Sequence, residues 1–131
     1  MKEPTLKKTN LTEINFRGAN LQEANLIDAN LGGADLQVAD LHGANFHLAN
    51  LIGADFYGAD LQETNLQGAK LCGALNLSIE QLSKVKTLYN AKLDEELLIQ
   101  LEEEFSFRFK SLQQQFLEYQ QNLLEAIYND L

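Results

Sequence analysis

From Leu11 onward a large apolar residue stands at every fifth position: Leu11, Phe16, Leu21, Leu26, Leu31, Leu36, Leu41, Phe46, Leu51, Phe56, Leu61, Leu66 and Leu71. A period of five belongs to neither an α-helix nor a β-strand. Two residues before most of these centres stands an alanine, as at Ala19, Ala24, Ala29, Ala34, Ala39, Ala44, Ala49, Ala54, Ala59 and Ala69, whereas Ile14 and Thr64 are larger. Between the small residue and the centre lies a polar one, nearly always Asn or Asp. The remaining two places vary and often hold Gly.

On locally extended chain, residues two apart point the same way and the residue between them points outward. Each unit therefore has one buried face, carrying the centre and the small residue. An extended chain that keeps one face buried must pair as flat sheets or wind around its own core. Gly in the variable places, with Asn or Asp before the centre, supplies turn chemistry at every unit and favours winding. The expected product is a solenoid, each coil stacked on the last.

The stretch "GANLQEANLIDANLGGADLQVADLHGANF" resembles the pentapeptide-repeat family, and "LSIEQLSKVKTLYNAKL" further on resembles the C-terminal segment of many bacterial members, abundant in cyanobacteria. The resemblance covers residues 9–75 and implies a mainly β solenoid: a right-handed quadrilateral β-helix, four pentapeptides per coil, of roughly three to three and a half coils. Residues 1–8 are then an N-terminal cap segment. Residues 76–131 form a C-terminal helical cap and extension. At about 4.8 Å per layer the rod is about 16 Å long.

With four units per coil, outward residues 20 apart form columns. Asp35 and Asp55 make one acidic column, and Asp40 with Asp60 makes another on the adjacent side. The polar position serves turns and solvation in the first instance; the sharper alternative is an anionic recognition surface. The resemblance implies that some relatives linked to quinolone resistance imitate duplex DNA toward DNA gyrase. A rod of about 16 Å covers less than half of a B-DNA turn of about 34 Å, so one subunit is a poor mimic. Asn50→Ala is expected to cost little if that position faces water.

Other candidate chemistry is sparse. His42 and His47 fall on adjacent sides without an obvious third ligand, so no metal or cofactor is expected. Tyr57, above Gln37 and Arg17, makes a contact column, with Ile27, Leu48 and Ile52 as further outward apolar residues. Cys72 is expected to be buried rather than reactive. No Ser-His-Asp set, phosphate loop, CxxC pair or HExxH is present, and no enzyme is expected.

The period breaks at "GAKLCGALNLSIEQLSKVKTLYNAKL", where Leu75 takes the polar place and Asn76 a centre's place. Ser78 and Gln81 read as a capping box opening a helix with Ile79, Leu82, Val85 and Leu88 along one side, a natural lid for an open solenoid end. Asp94 is placed to cap a second helix through Glu104. A third runs from about Phe107 to Asn129. On it Phe109, Leu112, Phe116, Tyr119 and Leu123 recur at alternating spacings of three and four, continued by Ala126, Ile127 and Leu131, a coiled-coil-like stripe. Either this stripe folds back on its own chain or it binds a second copy or another protein.

Charge narrows the partners. The formal net charge is −9, with 5 basic against 9 acidic groups in residues 1–75 and 5 against 10 in residues 76–131. Such a surface repels nucleic acid and anionic membranes, so neither direct nucleic-acid binding nor membrane association is expected. A single cysteine excludes an intrachain disulfide, and the start "MKEPTLKKTN" lacks a signal-type apolar run, which points to the cytoplasm. The function expected is that of a non-enzymatic interaction or structural scaffold, with homo-oligomer formation through the C-terminal helices; the alternative is a DNA-mimicking anionic inhibitor.

Overall fold

Each pentapeptide from Leu6 to Leu71 forms one turn and one corner. The N–H of the small residue donates to the carbonyl of the centre three places earlier, as in Ala19 to Phe16 (2.9 Å) and Ala39 to Leu36 (3.1 Å). The residue just before that N–H has positive φ in every unit, from Lys8 (φ 58°) to Gly73 (φ 69°). A positive φ at the third residue of a four-residue turn, with a negative one at the second, defines type II. The Asn or Asp before the centre completes the corner from outside: Asn15 Oδ1 accepts from Arg17 N–H at 3.0 Å, and Asn65 Oδ1 from Gln67 N–H at 2.9 Å. That bond explains why the position demands Asn or Asp rather than any polar residue.

This computed structural model describes residues 5–129, without the side chains of residues 108–113 and 116. Residues 1–4 of the expected cap segment 1–8 lie outside the described residues, whereas residues 5–8 already belong to the solenoid: Thr5 bridges Asn25 and Lys8 N–H donates to Ile27 O at 2.9 Å. The chain divides into two compact units, Met1–Leu97 and Leu98–Leu131.

In the first unit every polar position from Thr5 to Asp55 pairs with the residue 20 places on through a single parallel bridge, so one coil takes four pentapeptides. The ladders run Asn10–Asn30–Asn50–Lys70 on one side and Asn15–Asp35–Asp55–Leu75 on the next; the others are Asn20–Asp40–Asp60 and Thr5–Asn25–Asn45–Asn65. Among the described residues no strand is longer than these single bridges. Successive coils are bonded repeatedly: Leu31 N–H donates to Asn50 O at 2.7 Å, Asn50 N–H to Ala29 O at 2.9 Å and Leu48 N–H to Gln67 O at 2.9 Å. The backbone is thereby satisfied without broad sheets.

Inside, the centres and small residues pack as expected. Leu26, Leu31, Leu36, Leu41, Leu51 and Leu66 are fully buried together with Phe46 and Phe56, all at 0% exposure. Thr64, the odd residue at a small position, is also fully buried, and its Oγ1 donates to Leu41 O at 2.9 Å. The hydroxyl is admitted because it finds a carbonyl. Ile14 and Phe16, in the first coil, are only half-buried.

Beyond Leu75 the structure departs from expectation. The capping box at Ser78 and Gln81 is present, but helix α1 spans only Ile79–Leu82, and Val85 and Leu88 do not belong to it. The chain instead rejoins the ladders: Asn65 bridges Thr87 and Lys70 bridges Lys92, now 22 residues apart. Leu66 N–H donates to Thr87 O, Gly68 N–H to Tyr89 O and Leu71 N–H to Lys92 O. Thr87, Leu88, Ala91, Lys92 and Leu93 thus occupy the polar, centre, small, polar and centre places. Asn90 takes the positive φ (60°), and Ala91 N–H closes the turn onto Leu88 O. Bonds offered by the coil beneath outweigh continued helix.

The two later helices expected, ending at Glu104 and starting near Phe107, are one helix, α2, Glu95–Asn129. Residues 104–107 contain no Gly or Pro, so nothing interrupts the helical ladder. Residues 98–129 of α2 make up the described part of the second unit. No helix among the described residues is long and apolar enough to cross a membrane.

Candidate functional site

The acidic columns lie in adjacent layers, Asp35 bridging Asp55 and Asp40 bridging Asp60. Each carboxylate is committed in part to its own corner. Oδ1 of Asp35, Asp40, Asp55 and Asp60 accepts from the N–H of Gln37, His42, Tyr57 and Gln62 at 3.0, 3.1, 3.0 and 3.0 Å. Asp40 also accepts from Gln22 Nε2, and Asp55 from Asn76 Nδ2 at 2.9 Å. These four residues are stacked in pairs, and the bond that each Oδ1 makes to its corner is the one that Asn makes at the same position.

The other outward residues stand as single features. Tyr57 is 61% exposed, and below it Arg17 Nη1 donates to Gln37 Oε1 at 3.5 Å. Leu48 and Ile52 are exposed, while Ile27 is half-buried. Cys72 is exposed, not buried, because it occupies the corner place after a centre, which points outward throughout the solenoid. Among the described residues no group of three or more His, Cys, Asp or Glu side chains is placed to hold a metal ion, and His42 and His47 belong to no such group.

A break in the ladders, not foreseen from sequence, lies on the side of Asp60. That residue bridges Asp40 but no later one, because the position 20 residues on, Glu80, lies within α1. The Gln81 side-chain amide fills in, donating to Phe56 O at 2.8 Å and Ala59 O at 3.1 Å. The cleft left beside it is lined by Asp60, Gln62, Asn76, Ser78, Glu80 and Lys84. Glu80 and Lys84 form an exposed ion pair at 3.8 Å, which adds little stability. The cleft pairs no nucleophile with a base. The signal for it is the two extra residues between Leu66 and Leu88, visible only once Leu88 is recognised as a centre.

The second unit presents the apolar stripe. On α2, Tyr119, Leu123 and Ile127 are 65%, 50% and 55% exposed, and Leu98 and Phe105 extend the stripe toward the N-terminus with 46% and 71%. Phe109, Leu112 and Phe116 lie in the helix, but their side chains are outside the described set, as is Leu131.

With this geometry in view, sequence and structural relatives identify the family. The profile of pentapeptide repeats matches eight copies over residues 5–37 and 39–75, more than half of the chain. The chain belongs to the pentapeptide-repeat family. Members of that family form right-handed quadrilateral β-helices and are generally non-enzymatic repeat scaffolds. A pentapeptide repeat protein from the Arabidopsis thaliana thylakoid lumen is 31% identical, with a TM-score of 0.56 over 67% of this chain and 57% of that one. Rfr23 from the cyanobacterium Cyanothece 51142 is 33% identical over 70% of this chain and 54% of its own, with a TM-score of 0.40. The plasmid-mediated fluoroquinolone resistance protein QnrB1 is 26% identical over 75% of this chain and 44% of its own, with a TM-score of 0.41. The chain thus spans little more than half the length of the first two. No curated protein matches.

Proposed function

We propose that this pentapeptide-repeat protein is a non-enzymatic interaction scaffold, in which a rigid solenoid, closed at its C-terminal end by the segment around α1, presents flat sides and α2 joins a second copy. The carrying observation is the stripe on α2. Tyr119, Leu123 and Ile127, with Leu98 and Phe105 toward the other end, expose large apolar side chains at helical spacing along a helix of 35 residues. Most helical stability in proteins comes from packing an amphipathic face rather than from propensity, so a helix with this stripe is suited to a partner.

The rival, an anionic DNA mimic, draws on the net charge of −9 and on the paired Asp columns. It is weakened by the turn N–H that each of the four carboxylates already accepts. Light scattering of the intact chain at low and moderate salt separates the two. A dimer whose mass is insensitive to salt supports association through α2. A monomer that binds a DNA-handling enzyme, and loses that binding steeply with salt or on neutralising Asp35, Asp40, Asp55 and Asp60, would replace it with the rival.

A further inference from the structure

The centre places that follow Leu71 fall on Asn76 and Gln81. A polar side chain there would give up its hydrogen bonds to water inside an apolar core, so the chain leaves the coil on this side. The ladder donors beneath record the departure. From Leu6 to Leu71 every centre N–H donates to a carbonyl one coil on, apart from Leu61. From Lys8 to Gly73 every positive-φ N–H finds a carbonyl or, at Gly73, the Asp94 carboxylate, apart from Gly58. Among the described residues neither Gly58 N–H nor Leu61 N–H has an acceptor. Both residues line the cleft beside α1, whose volume of about 550 Å³ is in the range of clefts that hold ligands.

The missing rung defines what would fill it. One coil beneath, Val38 N–H and Leu41 N–H donate to Tyr57 O and Asp60 O at 2.7 and 3.0 Å, two carbonyls three residues apart on one stretch of chain. Gly58 and Leu61 stand in the same relation and call for the same two acceptors. The donor that such a stretch also brings is already replaced. Asp60 N–H donates to Ala39 O beneath, and in the open rung Gln81 Nε2 donates to Ala59 O instead. Gln81 thus imitates the N–H of the absent coil and leaves its carbonyls unsupplied.

Charge decides between kinds of acceptor. The cleft carries Asp60 and Glu80 against Lys84, whose ammonium already lies 3.8 Å from Glu80, so an anion would meet net negative charge. Uncharged carbonyls at regular spacing are what a peptide main chain offers. Asp60 is exposed and accepts through Oδ1 from Gln62 N–H, and Tyr57, 61% exposed, also lines the cleft. A basic side chain suits that pair, its stem on the ring and its charge at the carboxylate.

We infer that this cleft docks a short extended peptide of a partner protein, carrying a basic residue, whose main-chain carbonyls accept from Gly58 and Leu61 and add one rung to the solenoid. Leu61 is 1% exposed, so the peptide reaches its N–H as the Gln81 side chain gives way. The site lies wholly within the first unit and is independent of association through α2.

Amide hydrogen exchange of the intact chain, followed by NMR, tests this with the capped peptide acetyl-Ala-Ala-Arg-Ala-Ala-amide as probe. At saturating peptide the Gly58 and Leu61 amides should exchange about tenfold more slowly, while those of Val38 and Leu41, already bonded, stay unchanged. Asp60→Asn keeps the Oδ1 that holds the corner and should weaken the peptide about threefold. Exchange at both amides that is unaltered by millimolar peptide would overturn the site. Equal binding of the probe with Glu in place of Arg would overturn the basic partner. Protection of the two amides that grows with protein concentration in the absence of peptide would assign the cleft to a second copy instead.

Discussion

Val38 lies across Gly58, its counterpart one coil on: a Cβ built on Gly58 would stand 2.9 Å from Val38 Cγ1. Both residues hold the positive-φ corner, at 50° and 68°. Leu48 meets Gly68 in the same way, its Cδ2 standing 2.7 Å from where a Cβ would be. A bulky corner residue is thus accommodated by the bare backbone of the next coil. Gly18, with φ 68°, has nothing within 4 Å of such a Cβ. Gly18→Ala should therefore cost only the left-handed backbone penalty, about 1 kcal/mol, whereas Gly58→Ala should cost about 2 kcal/mol. Adding Val38→Gly should erase the difference in a double-mutant cycle followed by urea denaturation.

The core makes a second comparison. Phe46 is fully buried, and Phe46→Ala should lose about 3 to 5 kcal/mol because the bonded coils hold the cavity open. A near-neutral change would contradict the inward placement. Asn50→Ala, expected from sequence to be nearly free, should instead cost about 1 kcal/mol. Asn50 Oδ1 accepts from Ile52 N–H at 3.0 Å and its Nδ2 donates to Asn30 Oδ1 at 3.2 Å, so the position is a corner brace rather than a solvated decoration.

Gln81 does two jobs. Its Oε1 accepts from Ser78 N–H at 2.9 Å to complete the capping box, and its Nε2 reaches the carbonyls of Phe56 and Ala59. Gln81→Ala removes a cap and strips two carbonyls of a donor, an expected loss of about 2 to 3 kcal/mol. Gln81→Glu should recover the cap alone and fall between the two in thermal denaturation.

At the last corner Asp94 substitutes a side chain for a ladder carbonyl. Both of its carboxylate oxygens lie 3.0 Å from Gly73 N, just before α2 begins. Asp94→Ala should speed hydrogen exchange of the Gly73 amide about tenfold, while Asp94→Asn should preserve much of the protection. The corresponding amide of Leu48, which donates to the Gln67 carbonyl, should not change in either variant.

The five-residue period makes the solenoid legible because each unit repeats the same local physics: a buried centre, a small neighbour, an Asn or Asp that bonds its own corner. Where that period is diluted the signal fails. Leu88, Ala91 and Leu93 carry the apolar places of a further stretch of coil, yet the two-residue shift and Thr and Lys at the polar places let helical spacing compete, so spacing alone assigns Val85 and Leu88 to α1. The continuity of α2 is hidden for the opposite reason: Ser106 and Phe107 weaken helix propensity slightly, but only Gly or Pro breaks the ladder outright. The acidic columns stack in the register that four pentapeptides per coil gives, a number the family resemblance implied and the period alone did not. That their oxygens serve the corners is visible in the alternation of Asn and Asp at one position, which requires only the shared Oδ1.

Sedimentation velocity of the intact chain beside Leu123→Glu reads whether the stripe on α2 assembles two copies. Leu123 is half exposed and lies in the second unit, outside the solenoid, so its replacement should leave the solenoid folded. The intact 14.7 kDa chain should sediment as a dimer and the variant as a monomer with unchanged solenoid stability. An intact chain that stays monomeric at every concentration, or a variant that remains a dimer, would contradict assembly through the stripe.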